Sequence, residues 1–239
     1  MDKTLPILDP GTLSFPNPDT ALKEPNGLLA MGGDLSPSRL LAAYRLGIFP
    51  WYDITSPILW WSPNPRAILF VDQINISKSL QKLILKKNFH YSCDRHFVDV
   101  IEACQNRKSH STSLMDTWIT PELKKAFIQL HEMGYAHSIE ICQNGKVVGG
   151  LYGICIGKCF FGESMFHKVS DMSKVALVLL VRQLARWGFR WIDCQIWSPH
   201  LASLGAQNIS RESFLSLLSH GIDENTKLEN WTLDSDLTD

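Results

Sequence analysis

Glu163 and Asp193 stand where a chain seldom keeps an acid. The segments Phe160-Phe161-Gly162-Glu163-Ser164-Met165-Phe166 and Trp191-Ile192-Asp193-Cys194-Gln195 otherwise read as buried strands. A carboxylate taken out of water without a partner costs roughly several kcal/mol, so each acid implies either a ligand or a structural task such as internal capping. Two acids separated by one helix-length connection predict an electronegative hollow that meets a cation. Strand alternation puts Asp193 and Gln195 on one face and Ile192 on the other, while Glu163 shares a face with Phe161 and Met165. If the strands are neighbours, Glu163, Asp193 and Gln195 converge, and Gly162 lets a ligand or another backbone come close. Leu151, Leu180, Leu184 and Ile192 read equally well as a cavity wall or as ordinary core.

The elements that must hold these residues follow from periodicity and turn chemistry. Strands are predicted over 136–142, 146–155 and 159–166, the first two joined by the hairpin signal Asn144-Gly145. A helix over 170–187 carries Leu177, Leu180, Val181 and Leu184 on one face and stops at Gly188, before a strand over 190–196. Further helices are predicted over 97–104 and 121–133, the second capped by Thr120 with Pro121 in its first turn. Between them, 106–117 is polar and longer than such loops usually run, and reads as mobile. A helix over 77–87 buries Leu80, Leu83 and Ile84 and repeats Lys78, Lys82 and Lys86 every fourth residue on another face. That face can track phosphates or simply be solvated.

Residues 1–66 are rich in Pro, Gly and aromatics around one clear helix, which Asp34 or Ser36 can cap and Gly47 ends. They read as a small N-terminal domain, and 67–239 as a second domain with a mixed sheet and flanking helices, an α+β fold overall. The tail from about Asp223 is polar and expected to be poorly ordered.

Composition narrows the function classes. With 239 residues and a net charge of -1, the chain has no global basic field, so any contact with nucleic acid must be a local patch. The first residues lack the layout of a signal peptide, and the longest apolar stretch, 175–181, is too short to cross a bilayer. A soluble cytoplasmic protein without membrane contact is the expectation. The six cysteines show no pairing rhythm and the eight histidines no metal-ligand spacing, so reduced thiols and no metal are expected.

Several stretches together resemble the leucyl/phenylalanyl-tRNA–protein transferases. They are Phe15-Pro16, Pro25-Asn26-Gly27-Leu28-Leu29-Ala30-Met31-Gly32-Gly33-Asp34-Leu35, Tyr44-Arg45-Leu46-Gly47-Ile48-Phe49-Pro50-Trp51, and Leu59-Trp60-Trp61-Ser62-Pro63. Then come Thr117-Trp118-Ile119-Thr120, His137-Ser138-Ile139-Glu140, Gly162-Glu163-Ser164-Met165-Phe166, Ile192-Asp193-Cys194-Gln195 and Ala202-Ser203-Leu204-Gly205-Ala206. They run in family order over about residues 15 to 215.

The resemblance implies an acetyltransferase-like (GNAT-related) second domain, an aminoacyl-tRNA donor carrying Leu or Phe, and acceptor proteins that begin with Arg or Lys. It implies a monomer that needs no cofactor and marks proteins for degradation. By analogy Trp51 and Trp118 hold the terminal adenosine of the tRNA. Leu151, Leu180, Leu184 and Ile192, with Phe160 and Gly162, line the amino-acid pocket. Glu163 meets the acceptor, Asp193 and Gln195 form the catalytic pair, and Lys78, Lys82 and Lys86 with Lys87 contact the tRNA. Aminolysis of the ester then needs the acceptor amine placed and relieved of a proton, with Asp193 orienting Gln195 directly or through water.

Two other readings stay open on the residues. An acetyl-CoA-dependent N-acetyltransferase would carry a Gly-rich pyrophosphate loop where this chain has His167-Lys168-Val169. A non-catalytic tRNA-binding module would leave Asp193 and Gln195 without a task.

Overall fold

The computed structural model describes residues 5–106, 118–224 and 231–239. The first part of the chain forms a sheet of four short strands, β1 (Ile7–Leu8), β2 (Leu28–Gly32), β3 (Phe49–Pro50) and β4 (Leu59–Trp61), in the order β1-β2-β4-β3. Helix α1 (Pro37–Arg45) lies between β2 and β3 in sequence. Ser36 caps it by accepting from the Arg39 N–H at 3.4 Å, and Pro37 fills its first turn.

The chain continues through β5 (Arg66–Phe70), α2 (Lys78–Leu85), β6 (His90–Cys93), α3 (Phe97–Gln105) and α4 (Pro121–Glu132). Next come β7 (Ala136–Gln143), β8 (Lys146–Ile156), β9 (Cys159–His167), α5 (Met172–Arg186) and β10 (Trp191–Gln195). The last elements are α6 (Pro199–Ser203), β11 (Gln207–Ile209) and α7 (Arg211–Gly221). The strands form a seven-stranded sheet in the order β11-β5-β10-β9-β8-β7-β6. Every neighbouring pair is antiparallel except β9 and β10, which run parallel. A parallel pair needs a long crossover, and α5 supplies it.

Alternation splits the sheet into two packed faces. Leu69, Leu151, Phe160 and Ile192 pack with α5 and with Leu80 and Ile84 of α2. Ile68, Tyr152, Phe161 and Trp191 pack with Phe97 and Val100 of α3, Leu123 and Phe127 of α4, and Phe214 of α7. The same cluster takes in Leu40 and Tyr44 of α1 and Trp60 of β4. The small sheet is therefore built into one side of the larger one.

The α+β class, the mixed sheet and the strand and helix positions agree with the sequence reading to within two residues at the ends that were predicted. Residues 107–117 of the expected loop, like 225–230 of the expected tail, lie outside the described residues. One outcome differs. The rest of the tail is packed rather than loose. Trp231 stacks on His137 with ring centres 3.9 Å apart, Leu237 is buried, and Arg186 pairs with Asp234 at 2.7 Å and Asp236 at 2.6 Å. The segment is polar on average, yet it carries two apolar anchors, Trp231 and Leu237, whose packing favours its ordering.

Candidate active site

Two adjacent β-bulges build the site. On β9, Gly162 pairs with Gly153 and Ser164 with Tyr152, so Glu163 is left over between them. On β10, Asp193 pairs with Ile68 and Gln195 with Ala67, so Cys194 is the extra residue, and Gln195 takes a left-handed φ of 61°. A bulge re-aims side chains that plain alternation would send elsewhere. The result is that Gln195 Nε2 donates to Glu163 Oε1 at 2.8 Å. Tyr44 reaches the same oxygen from α1, its hydroxyl donating at 2.7 Å. Glu163 and Gln195 do converge, but through two irregularities rather than through the shared parity of Asp193 and Gln195.

The expected two-acid hollow is not what forms. Asp193 is fully buried against a fully buried arginine: Arg66 Nε donates to Oδ1 at 2.9 Å and Nη2 to Oδ2 at 2.6 Å. The guanidinium lies 4.7 Å from the Phe49 ring centre and 4.5 Å from that of Phe214, an aromatic sandwich that holds its plane. Arg66 opens β5 and sits diagonally across from Asp193, a cross-strand position 127 residues away in sequence. Asp193 Oδ1 also accepts the backbone N–H of Gln195 at 2.8 Å, which holds Gln195 in its unusual conformation. Asp193 thus orients Gln195 directly, through the backbone, and its negative charge is spent on Arg66.

Glu163 is the acid that remains. Its Oε2 is shielded from solvent and has no hydrogen-bond partner among the described residues. Burial pushes its carboxyl up to about 8, with the nearby Asp193 charge adding to the rise, while the bonds from Tyr44 and Gln195 and the Arg66 charge hold it down.

Beside it is a cavity of about 220 Å³. Leu151, Phe160, Gly162, Glu163, Leu180, Ile192 and Trp118 lie on its wall. Tyr152, Met165, Leu177, Cys194 and Leu201 join them without having been singled out from the sequence. Tyr152 also carries a buried hydroxyl with no partner among the described residues. Leu184, expected on the wall, is instead fully buried in the core one turn beyond Leu180. A Cβ on Gly162 would meet only Asp193 O at 3.5 Å and Ile192 Cγ2 at 3.7 Å, ordinary contacts. Close approach of the protein's own backbone is therefore not what demands that glycine.

Trp51 is elsewhere. It is 41% exposed and lines a second cavity of about 270 Å³ with Trp61, Ile196 and Trp197. The two cavities share one wall segment, since Cys194 and Ser198 face the first and Ile196 and Trp197 the second. On α2, Lys78, Lys82 and Lys86 are exposed and make no ion pair among the described residues, whereas Lys87 is paired with the side chain of Asp239. The six cysteines are all free thiols, and burial pushes that of Cys194 up to about 12.

Fold and site together define a mixed-sheet α+β protein that sets a largely apolar cavity beside a buried glutamate with one carboxyl oxygen left without a partner among the described residues. The family model described as leucyl/phenylalanyl-tRNA protein transferase matches residues 68–219, and that of the family's N-terminal domain matches 33–64. A leucyl/phenylalanyl-tRNA–protein transferase of Hahella chejuensis is 53% identical over 90% of this chain and 90% of its own. That of Methylococcus capsulatus is 50% identical over 95% and 96%, and that of Azotobacter vinelandii 51% over 92% and 96%. The chain belongs to the leucyl/phenylalanyl-tRNA–protein transferase family.

Proposed function

We propose that the protein moves Leu or Phe, and Met where it fits, from aminoacyl-tRNA to the N-terminal Arg or Lys of other proteins, marking them for degradation. The observation that carries this is the Oε2 of Glu163, buried and without a partner among the described residues, beside an apolar cavity. An apolar amino acid fills the cavity, and the cationic chain end of the acceptor meets the carboxylate. An acceptor without that charge leaves the carboxylate unpaired, so discrimination comes from a penalty as well as from attraction.

In this reading Leu151, Phe160, Gly162, Leu180 and Ile192 hold the aminoacyl side chain. Trp118 is on the same wall, placed to stack the terminal adenine, and Trp51, across the Cys194–Ser198 segment, offers the strand a second aromatic surface at about 1–3 kcal/mol per stacked base. Lys78, Lys82 and Lys86 with Lys87 steer the tRNA by charge. Gln195 places the amine, and Asp193 places Gln195. The division into residues 1–66 and 67–239, a monomeric state and a cytoplasmic location belong to the same proposal.

The reaction needs no cofactor in this reading, because the ester already stores the driving force. The test is transfer of labelled Leu from Leu-tRNA to peptides starting with Arg, Lys or Ala. Transfer to Arg and Lys peptides and not to Ala is expected. Acetyl transfer from acetyl-coenzyme A, or tRNA binding without transfer, would remove the proposal.

A further inference from the structure

Aminolysis has to dispose of a proton, and the two acids are unequally equipped to take it. Asp193 has both oxygens fixed on Arg66 and one of them also on the Gln195 N–H, and it is not on the cavity wall. Glu163 is on that wall, with Oε1 occupied by Tyr44 and Gln195 and Oε2 shielded from solvent and without a partner among the described residues. A base must lie within hydrogen-bond reach of the proton it removes, so geometry decides first.

We infer that Glu163, through Oε2, receives the proton of the attacking α-amine, and that Asp193 is a positioning residue acting through the backbone of Gln195. The inference rests on the transferase reading and deepens it. The neutral amine nitrogen bonds to the aminoacyl carbonyl carbon, and an amine proton passes to Glu163 Oε2. As the intermediate collapses, the bond from that carbon to the ribose oxygen breaks, and the leaving oxygen takes the proton back. An amide and a free tRNA hydroxyl result, and Glu163 is again a carboxylate.

The roles of the two oxygens fit the step. Tyr44 and Gln195 donate to Oε1 and set the plane of the carboxyl, which leaves Oε2 for one donor. The charge on Glu163 still favours an adjacent Arg or Lys side chain without a second direct bond. A carboxyl raised to about 8 is the more basic for it, but it holds its own proton in most molecules at neutral pH. The ionised form that can accept the amine proton, and the transfer rate with it, should therefore grow as pH rises toward 8.

Single-turnover transfer from Leu-tRNA to an Arg-starting peptide, at saturating acceptor and across pH, tests the inference. Glu163→Gln, which keeps an acceptor for Tyr44 and Gln195, should lose roughly 10²–10⁴-fold in kcat with a smaller change in acceptor KM. Replacing the buried ion pair by an amide pair, Arg66→Gln with Asp193→Asn, disturbs the placement of Gln195 and should lower kcat without making the rate responsive to added formate. Formate should restore part of the rate to Glu163→Gly, whose folding and tRNA binding are checked by thermal unfolding and filter binding.

A Glu163→Gln enzyme with normal kcat and raised KM would overturn the inference and leave Glu163 a recognition group. So would a double variant whose rate formate restores, or a folded, tRNA-binding Glu163→Gly indifferent to formate. Absence of transfer by the wild-type enzyme would instead bring down the transferase reading itself.

Discussion

The carboxyl of Glu163 carries a stability cost whose sign can be worked out. Its folded value of about 8 lies above the ordinary 4.5, so between these the folded protein holds a proton that the unfolded chain releases. Unfolding therefore becomes easier as pH rises through this window and levels off above about 8. Glu163→Gln cannot ionise, so it should melt at a higher temperature than wild type at pH 8 and converge with it near pH 4.5, by paired thermal scans. A variant less stable than wild type throughout would show that the carboxylate is held by partners the geometry does not reveal. Tyr152 offers a second measurement, because its hydroxyl is buried and has no partner among the described residues. Tyr152→Phe removes an unsatisfied group of the same shape and should leave stability unchanged or raise it by about 1 kcal/mol. The residue types at the site were readable from the chain, since acids inside apolar strands are conspicuous. Which acid stays open was not, because Arg66 is remote in sequence and nothing in its surroundings announces that it will meet Asp193.

At the scale of elements, periodicity and caps located α1, α2, α4, α5 and strands β7 to β10, and alternation then misled over one detail. An inserted residue leaves no trace in an apolar pattern, so neither bulge was visible and the meeting of Gln195 with Glu163 followed a different geometry. Strand β5 was also missed, since the four apolar residues that follow Arg66 are too short a run to distinguish strand from buried helix by periodicity. The bulge on β9 depends on β8 coming close at Gly153, where a Cβ would stand 2.3 Å from Phe161 O and 2.6 Å from the Phe160 ring. Backbone cannot yield as a flexible side chain does. Gly153→Ala should cost about 1–3 kcal/mol by overpacking, and by moving Phe160 it should weaken binding of the aminoacyl group. Denaturant unfolding and the KM for Leu-tRNA report the two effects, and a neutral outcome in both would mean that the bulge is not held by this contact.

For the whole molecule, the informative contrast is between a net charge of -1 and a helix that presents Lys78, Lys82 and Lys86 to solvent. A protein without a basic field cannot hold a polyanion by general attraction, so the tRNA contact has to be concentrated. Helix α2 packs its apolar stripe on the α5 side of the sheet, the side that also carries Phe160 and Ile192 of the cavity wall. Its lysines therefore belong to the layer that borders the reaction site. Each phosphate contact releases counterions, and this gives a measurement that separates contact from mere solvation. Replacing the three lysines by Gln should lower the slope of log affinity against log salt by roughly 2–3 and weaken Leu-tRNA binding at low salt. The rate of the transfer step at saturating tRNA should stay close to wild type, because none of the three touches the cavity. An unchanged salt slope would mean that α2 faces water in the complex and that the tRNA is held elsewhere.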